Sequence, residues 1–330
     1  MSESSAGEST VTVLVAIATN LAIAVAKAVV AALTGSAAMT AEAIHSLVDT
    51  LNEAILYLGI RRSRKAPNER HPFGYGRELY FWTLVVAVVI FGVGGGVTIV
   101  EGVERLVAPH ALEDAFWTYV VLGVSFVLES VSWTVSYRAV MQDSNGGSVL
   151  ATIRESKDPT TFTVLIEDSA ALVGLALAAL GTFVGHATGN RSIDGITSIA
   201  IGLVLLSVSM FLVGESRALL VGESARRETI VSIRAIVVAD RDVAALERAI
   251  AMQLAPQTIL VFLNVCFDSH LSARDVVAAI ERIEAAIRRR HTDVATIFIE
   301  PTDLESLSNR TAFPDAMARA DIVDGGKDAR

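Results

Sequence analysis

The chain has 330 residues, of which 52% are hydrophobic and 19% charged, a net charge of −9 and a mean hydropathy of +0.51. A soluble globular chain is about 45–50% apolar even with glycine counted, so this one is too apolar to be read as soluble throughout. The acidic balance excludes nucleic acid as a partner, which would call for a basic face. The single cysteine, Cys266, excludes an internal disulfide framework.

The apolar excess lies before about residue 213, in runs long enough to cross a hydrocarbon core of roughly 30 Å. The opening MSESSAGEST (1–10) reads as a polar tail. It lacks the basic start and short apolar run of a cleavable signal peptide. Span one is Val11–Leu33, interrupted by Asn20 and Lys27, and Lys27 is expected to snorkel toward the interface.

Span two, ending near Ile60, contains Ala41–Leu56, AEAIHSLVDTLNEAIL. At the helical advance of roughly 100° per residue, Glu42, His45, Asp49, Asn52 and Glu53 fall within an arc of about 100°. The rest of the circumference is mainly Ala, Ile, Leu and Val. One ionisable stripe on an otherwise apolar helix implies a buried polar path through a membrane. His45 and Asp49 stand at i and i+4, so an imidazole and a carboxylate point the same way and could hold a divalent metal.

The following loop carries Arg61, Arg62, Arg64, Lys65, Arg70 and Arg77, with Pro67, Pro72, Gly74 and Gly76 as helix breakers. The positive-inside rule makes it cytoplasmic. Tyr80, Phe81 and Trp82 mark an interface, and span three runs to about Val100. Its Gly92, Gly94, Gly95 and Gly96 serve either close helix contact or a hinge. EGVERLVAPHALEDA is placed outside. Span four, Phe116–Ser136, includes Glu129, which is read chiefly as a structural residue. The loop Tyr137–Pro159, with Arg138, Arg154 and Lys157, returns to the cytoplasm, and its SNGGS suggests flexibility. Span five, Thr160–Val184, holds Glu167 and Asp168. Adjacent carboxylates in an apolar helix need a partner or a ligand. Span six is Ile193–Val213, with Asp194 as a helix-cap or interfacial residue. Six spans, two basic loops and the cluster Arg217, Arg226 and Arg227 put both termini in the cytoplasm.

From 214 to 305 the pattern is helix–strand–strand–helix–strand, a small α+β domain with helices on one face of an open sheet. Ser272 and Asp275 open its second helix and Arg288–Arg290 close it. His270 and His291, with Asp268, Asp293 and Glu300 nearby, do not make a four-ligand metal site. The stretch 306–330 is expected to be a polar, disordered tail.

Three segments in this order, HSLVDTLNEAIL, HPFGYGRELYFW and EDSAALVG, resemble the cation diffusion facilitators, over about residues 10–303. The branch they are most similar to includes the mitochondrial-type zinc transporters. The resemblance implies a six-helix transmembrane bundle (11–213) followed by a ferredoxin-like αββαβ cytoplasmic domain, and a homodimer joined mainly through that domain. It implies export of a divalent metal, zinc first, in exchange for protons, with the metal as transported substrate and no permanently bound cofactor. The implied ligands are His45, Asp49 and Asp168. A further ligand position of the family falls on Val164, which cannot ligate. Glu167 is the nearest replacement, with water, Glu42 or Asn52 as other candidates.

One imidazole with carboxylates suits Zn²⁺ and also admits Mn²⁺, Fe²⁺ or Co²⁺. Protons compete for the same ligands. An intramembrane metalloenzyme would want an HExxH-type helix, which the sequence lacks, so no enzyme is expected. A membrane-anchored metal sensor would not need carboxylates in two separate spans. The expected location is the plasma membrane.

Overall fold

Apolar runs without proline fold as long helices, and in the computed structural model the described residues up to Val221 are mostly helical. Residues 3–35, 37–108, 115–142 and 149–302 are described; SNGGS and the 306–330 tail lie outside them. The chain divides into two compact units. One comprises the residues up to Glu223 with Gln253–Thr258, the other Ser224–Met252 and the chain from Ile259 onward.

In the first unit, α1 (Glu3–Thr34) is already helical where a polar tail was expected, since its opening residues contain no proline to stop a helix. It ends where Gly35 takes a left-handed φ of 62° and donates its N–H to Ala31 O. α2 (Ala37–Ser63) follows. A folded loop then centres on Asn68, whose Oδ1 accepts from the N–H groups of Arg70 and His71. α3 (Glu78–Val89), a π-helical stretch (Ile90–Val97) and α4 (Thr98–Val107) form one rod, longer than the expected span three. The close-contact reading of its glycines finds support at Gly95. The helix widens at IFGVGGGV, and Gly95 and Gly102 bring it against Gly202 and Gly195 of α8 (Ser192–Val221). A Cβ on Gly102 would stand 2.9 Å from Gly195 O.

α5 (Ala115–Gln142) leads through a short α6 (Val149–Glu155) to α7 (Pro159–Thr188). α7 starts at an Asp-Pro pair: Asp158 Oδ1 accepts from Thr160 N, and Pro159 occupies the first helical position. α8 continues past the expected end at Val213 and stops at Gly222, which caps it in the left-handed region at φ 119°.

Among the described residues, four helical segments are long and apolar enough to cross a membrane: Glu78–Val107, Thr118–Met141, Phe162–Thr188 and Ser192–Val221. The described apolar part of α1 is shorter, Asn20–Thr34. α2 has the length to cross, 27 residues at about 1.5 Å each, but its ionisable stripe lowers its hydropathy. α5 shows what surrounds the bundle. Val124, Val127, Val131 and Val135 form an outward stripe 57–64% exposed, while Leu122, Ser125 and Ser136 face inward. An apolar surface of that kind is costly in water and matched to hydrocarbon.

The second unit has α9 (Arg227–Val238), most of β1 (Val243–Ala255) and β2 (Thr258–Phe267), α10 (Ala273–Arg290) and β3 (Val294–Thr302), in sheet order β1-β2-β3. β2 and β3 run parallel, in register from Leu260↔Thr296 to Cys266↔Thr302. Alternate β2 residues Ile259, Val261, Leu263 and Val265 pack with Ile233, Val237, Ile283 and Ile287 of the two helices. Ser272 and Asp275 form a reciprocal capping box on α10. Cys266 is buried, with Sγ 3.2 Å from Thr302 Oγ1, a packing position.

Candidate metal centre

The stripe on α2 is buried or half-buried, and its members are tied to two other helices, α1 and α7. Asn20 on α1 donates to Glu53 Oε1 at 2.6 Å. Asn52, fully buried, donates to Glu167 Oε1 on α7 at 2.9 Å. Glu42, also fully buried, has Oε2 3.3 Å from Lys27 Nζ. His45 is 3% exposed, and its Nδ1 lies 3.5 Å from Asp49 Oδ1 without hydrogen-bond geometry. Neither ring nitrogen of His45 has a hydrogen-bond partner among the described residues. A buried imidazole with both nitrogens unpaired beside a carboxylate is a donor set suited to a cation.

The two α7 carboxylates point to different neighbours, as an advance of roughly 100° between adjacent residues requires. Glu167 faces α2 through Asn52. Asp168 faces α5, where its Oδ2 accepts from Ser132 Oγ at 3.0 Å and Ser136 Oγ at 2.9 Å. His45 and Asp49 are therefore brought together, while Asp168 is held by hydroxyls of another helix. Among the described residues no three His, Cys, Asp or Glu side chains converge into a group able to hold a metal ion. Val164, one turn before Asp168, adds no donor.

Two sequence expectations change. Lys27 does not snorkel; it is fully buried and paired within the bundle, because Glu42 and Ser46 give its ammonium partners there. Asp194 does not cap α8; Arg191 holds the cap position without a side-chain bond, and Asp194 lies buried in the first turn. Glu167 and Asp168 find their partners in Asn52, Ser132 and Ser136. Ser132 and Ser136 were missed as site residues. Their signal is an i, i+4 pair of hydroxyls on the α5 face that also carries Glu129. In the second unit, His291 Nε2 lies 2.8 Å from Ser232 Oγ.

A family model for the cation efflux transmembrane domain matches residues 13–221. The chain belongs to the cation efflux family. The "Proton-coupled zinc antiporter SLC30A9, mitochondrial" of Xenopus laevis is 33% identical over 243 residues, 73% of this chain and 44% of that protein. The human protein of that name is 33% identical over 243 residues, 73% of this chain and 43% of its own length. "Metal tolerance protein C4" of Arabidopsis thaliana is 38% identical over 186 residues, 56% of this chain and 41% of that protein. The chain spans less than half the length of these relatives. As a cation efflux protein it is an integral, multi-pass membrane protein of a transporter family, not an enzyme. The first two relatives are named as mitochondrial, whereas the plasma membrane was expected here.

Proposed function

We propose that this cation efflux protein exports a divalent transition metal, most simply zinc, from the cytoplasm in exchange for protons. The observation that carries the reading is the buried His45 beside Asp49, its two ring nitrogens without a hydrogen-bond partner among the described residues, on a helix that also bonds α7 through Asn52 and Glu167. Binding draws Asp168 from α7 toward His45 and Asp49, with Glu167 as the supplementary carboxylate. Protons then compete for the same donors on the far side. Manganese, iron and cobalt fit the same mixed imidazole–carboxylate set. The reading places six spans in the plasma membrane, with α1 and α2 added to the four strongly apolar segments. It keeps both termini cytoplasmic and makes the αββαβ unit a ferredoxin-like domain through which two copies associate.

Zinc flux into proteoliposomes under an imposed pH gradient tests it. Flux should rise with the opposing proton gradient, and Asp49→Ala should abolish it while the protein still inserts. Flux indifferent to the gradient would reject the exchange.

A further inference from the structure

Lys27 and Glu42 form an ion pair with no exposed surface on either side chain. The ammonium also donates to Ser46 Oγ at 2.8 Å. Room for the carboxylate comes from Gly174 on α7, where a Cβ would stand 2.7 Å from Glu42 Oε1. That oxygen has no hydrogen-bond partner among the described residues. Burying such a pair is weak evidence for stability, since the desolvation of two ions offsets their attraction.

A reason lies in the ligand chemistry. Glu42 is three residues before His45, on the same face of α2. Released there, its carboxylate would join an imidazole and two aspartates, and each added anionic ligand tightens a divalent-cation site. With the imidazole uncharged, as a ligand must be, two aspartates already balance a divalent cation, and Glu167 is the supplementary ligand. A further carboxylate from Glu42 would favour retention over release.

We propose that Lys27 is a tethered counter-cation that withholds Glu42 from the transported metal, leaving His45, Asp49 and Asp168, supplemented by Glu167, as the donor set and keeping the site weak enough to release its cargo. Lys27 is thus a positioning residue acting through Glu42, and the inference rests on the carrier reading above.

The test is zinc affinity of the purified full chain, by competition with a chelating dye, together with zinc flux in proteoliposomes. Lys27→Gln should bind zinc about tenfold or more tightly, as one more anionic ligand tunes a site's affinity, and carry it more slowly. Lys27→Arg, which keeps the cation, should show neither effect. Adding Glu42→Gln to Lys27→Gln should cancel the gain in affinity. Lys27→Gln with wild-type or weaker zinc affinity overturns the proposal. If Lys27→Gln alone does not accumulate, the double variant, which strands no buried charge, decides. Affinity near wild type supports the withholding role, and a tenfold or greater loss makes Glu42 an ordinary ligand and overturns it. Wild-type protein with no affinity for zinc, manganese, iron or cobalt rejects the carrier reading itself, and this inference with it.

Discussion

The two serines on α5 give the most direct test of Asp168 as a ligand. Ser132 and Ser136 both donate to Oδ2, at 3.0 and 2.9 Å, from consecutive turns of one helix. Two donors on one oxygen fix both the position of the carboxylate and the direction of its other oxygen. A hydrogen bond to an ionised group contributes about 1.5–3 kcal/mol, and part of that is recovered when the carboxylate finds other donors. Outer partners of metal ligands are worth about 10–100-fold in affinity, or about 1.4–2.8 kcal/mol. Ser136→Ala should therefore weaken zinc binding about tenfold, and Ser132→Ala/Ser136→Ala about a hundredfold. Ser136→Thr, which keeps the hydroxyl, should restore most of the single loss. The assay is competition titration in detergent, with Asp168→Asn alongside. The reasoning is refuted if the double alanine variant binds zinc like wild type while Asp168→Asn does not bind. Asp168 would then ligate without help from the hydroxyls.

Gly102→Ala should lower the thermal stability of the detergent-solubilised protein by about 1–3 kcal/mol, the usual cost of overpacking. The added Cβ would meet Ile199 Cγ1 at 2.7 Å and backbone atoms of α8 at 2.9 Å. Gly123→Ala, where nothing lies within 4 Å, should leave the melting temperature unchanged or slightly raised; equal losses at the two sites would contradict the close-packing argument. In the second unit, burial pulls the Asp240 carboxyl upward, but hydrogen bonds from Arg282 and the Asp242 backbone outweigh it and hold it below the usual range. Since the folded value is the depressed one, its stabilisation is complete above the unfolded value of about 3.9 and is lost as pH falls through the folded value. Hydrogen-exchange protection in β1 and α10, corrected for intrinsic rates, should fall over that acid window in the wild type. The fall should be smaller in Arg282→Ala, and identical acid profiles would rule out the Asp240–Arg282 contribution.

The helices were legible because their signals are local. Apolar runs, the Ser272–Asp275 box and the β2 alternation each involve residues a few positions apart. Helix ends were less so. α8 overruns Val213 because no strong breaker precedes Gly222, and α7 begins at Pro159 because Asp158 caps it. The stripe on α2 could be read from helical periodicity alone. Its partners could not: Glu53 meets Asn20 across 33 residues, and Glu167 meets Asn52 across 115. Lys27 was misjudged for the same reason. Snorkelling is the default for a lone lysine in an apolar helix, and only the packing of α1 on α2 puts Glu42 and Ser46 within its reach.

Those partners differ in kind along α2, and the difference bears on where a cation can go. Glu53, Glu167 and Asp168 are each held by an uncharged amide or hydroxyl. A cation that replaces such an amide, or that meets Asp168 at the oxygen the serines leave open, strands no charge, because the asparagine is neutral and the hydroxyls stay in place, and it offers the carboxylate a stronger partner. Glu42 is held by an ammonium. A metal arriving there would have to displace a like charge with no exposed surface, leaving it unpaired in the bundle at a cost of several kcal/mol. On the carrier reading, the accessible stretch of the stripe therefore runs from Glu53 and Glu167 to Asp49, Asp168 and His45, and ends at the Lys27–Glu42 pair.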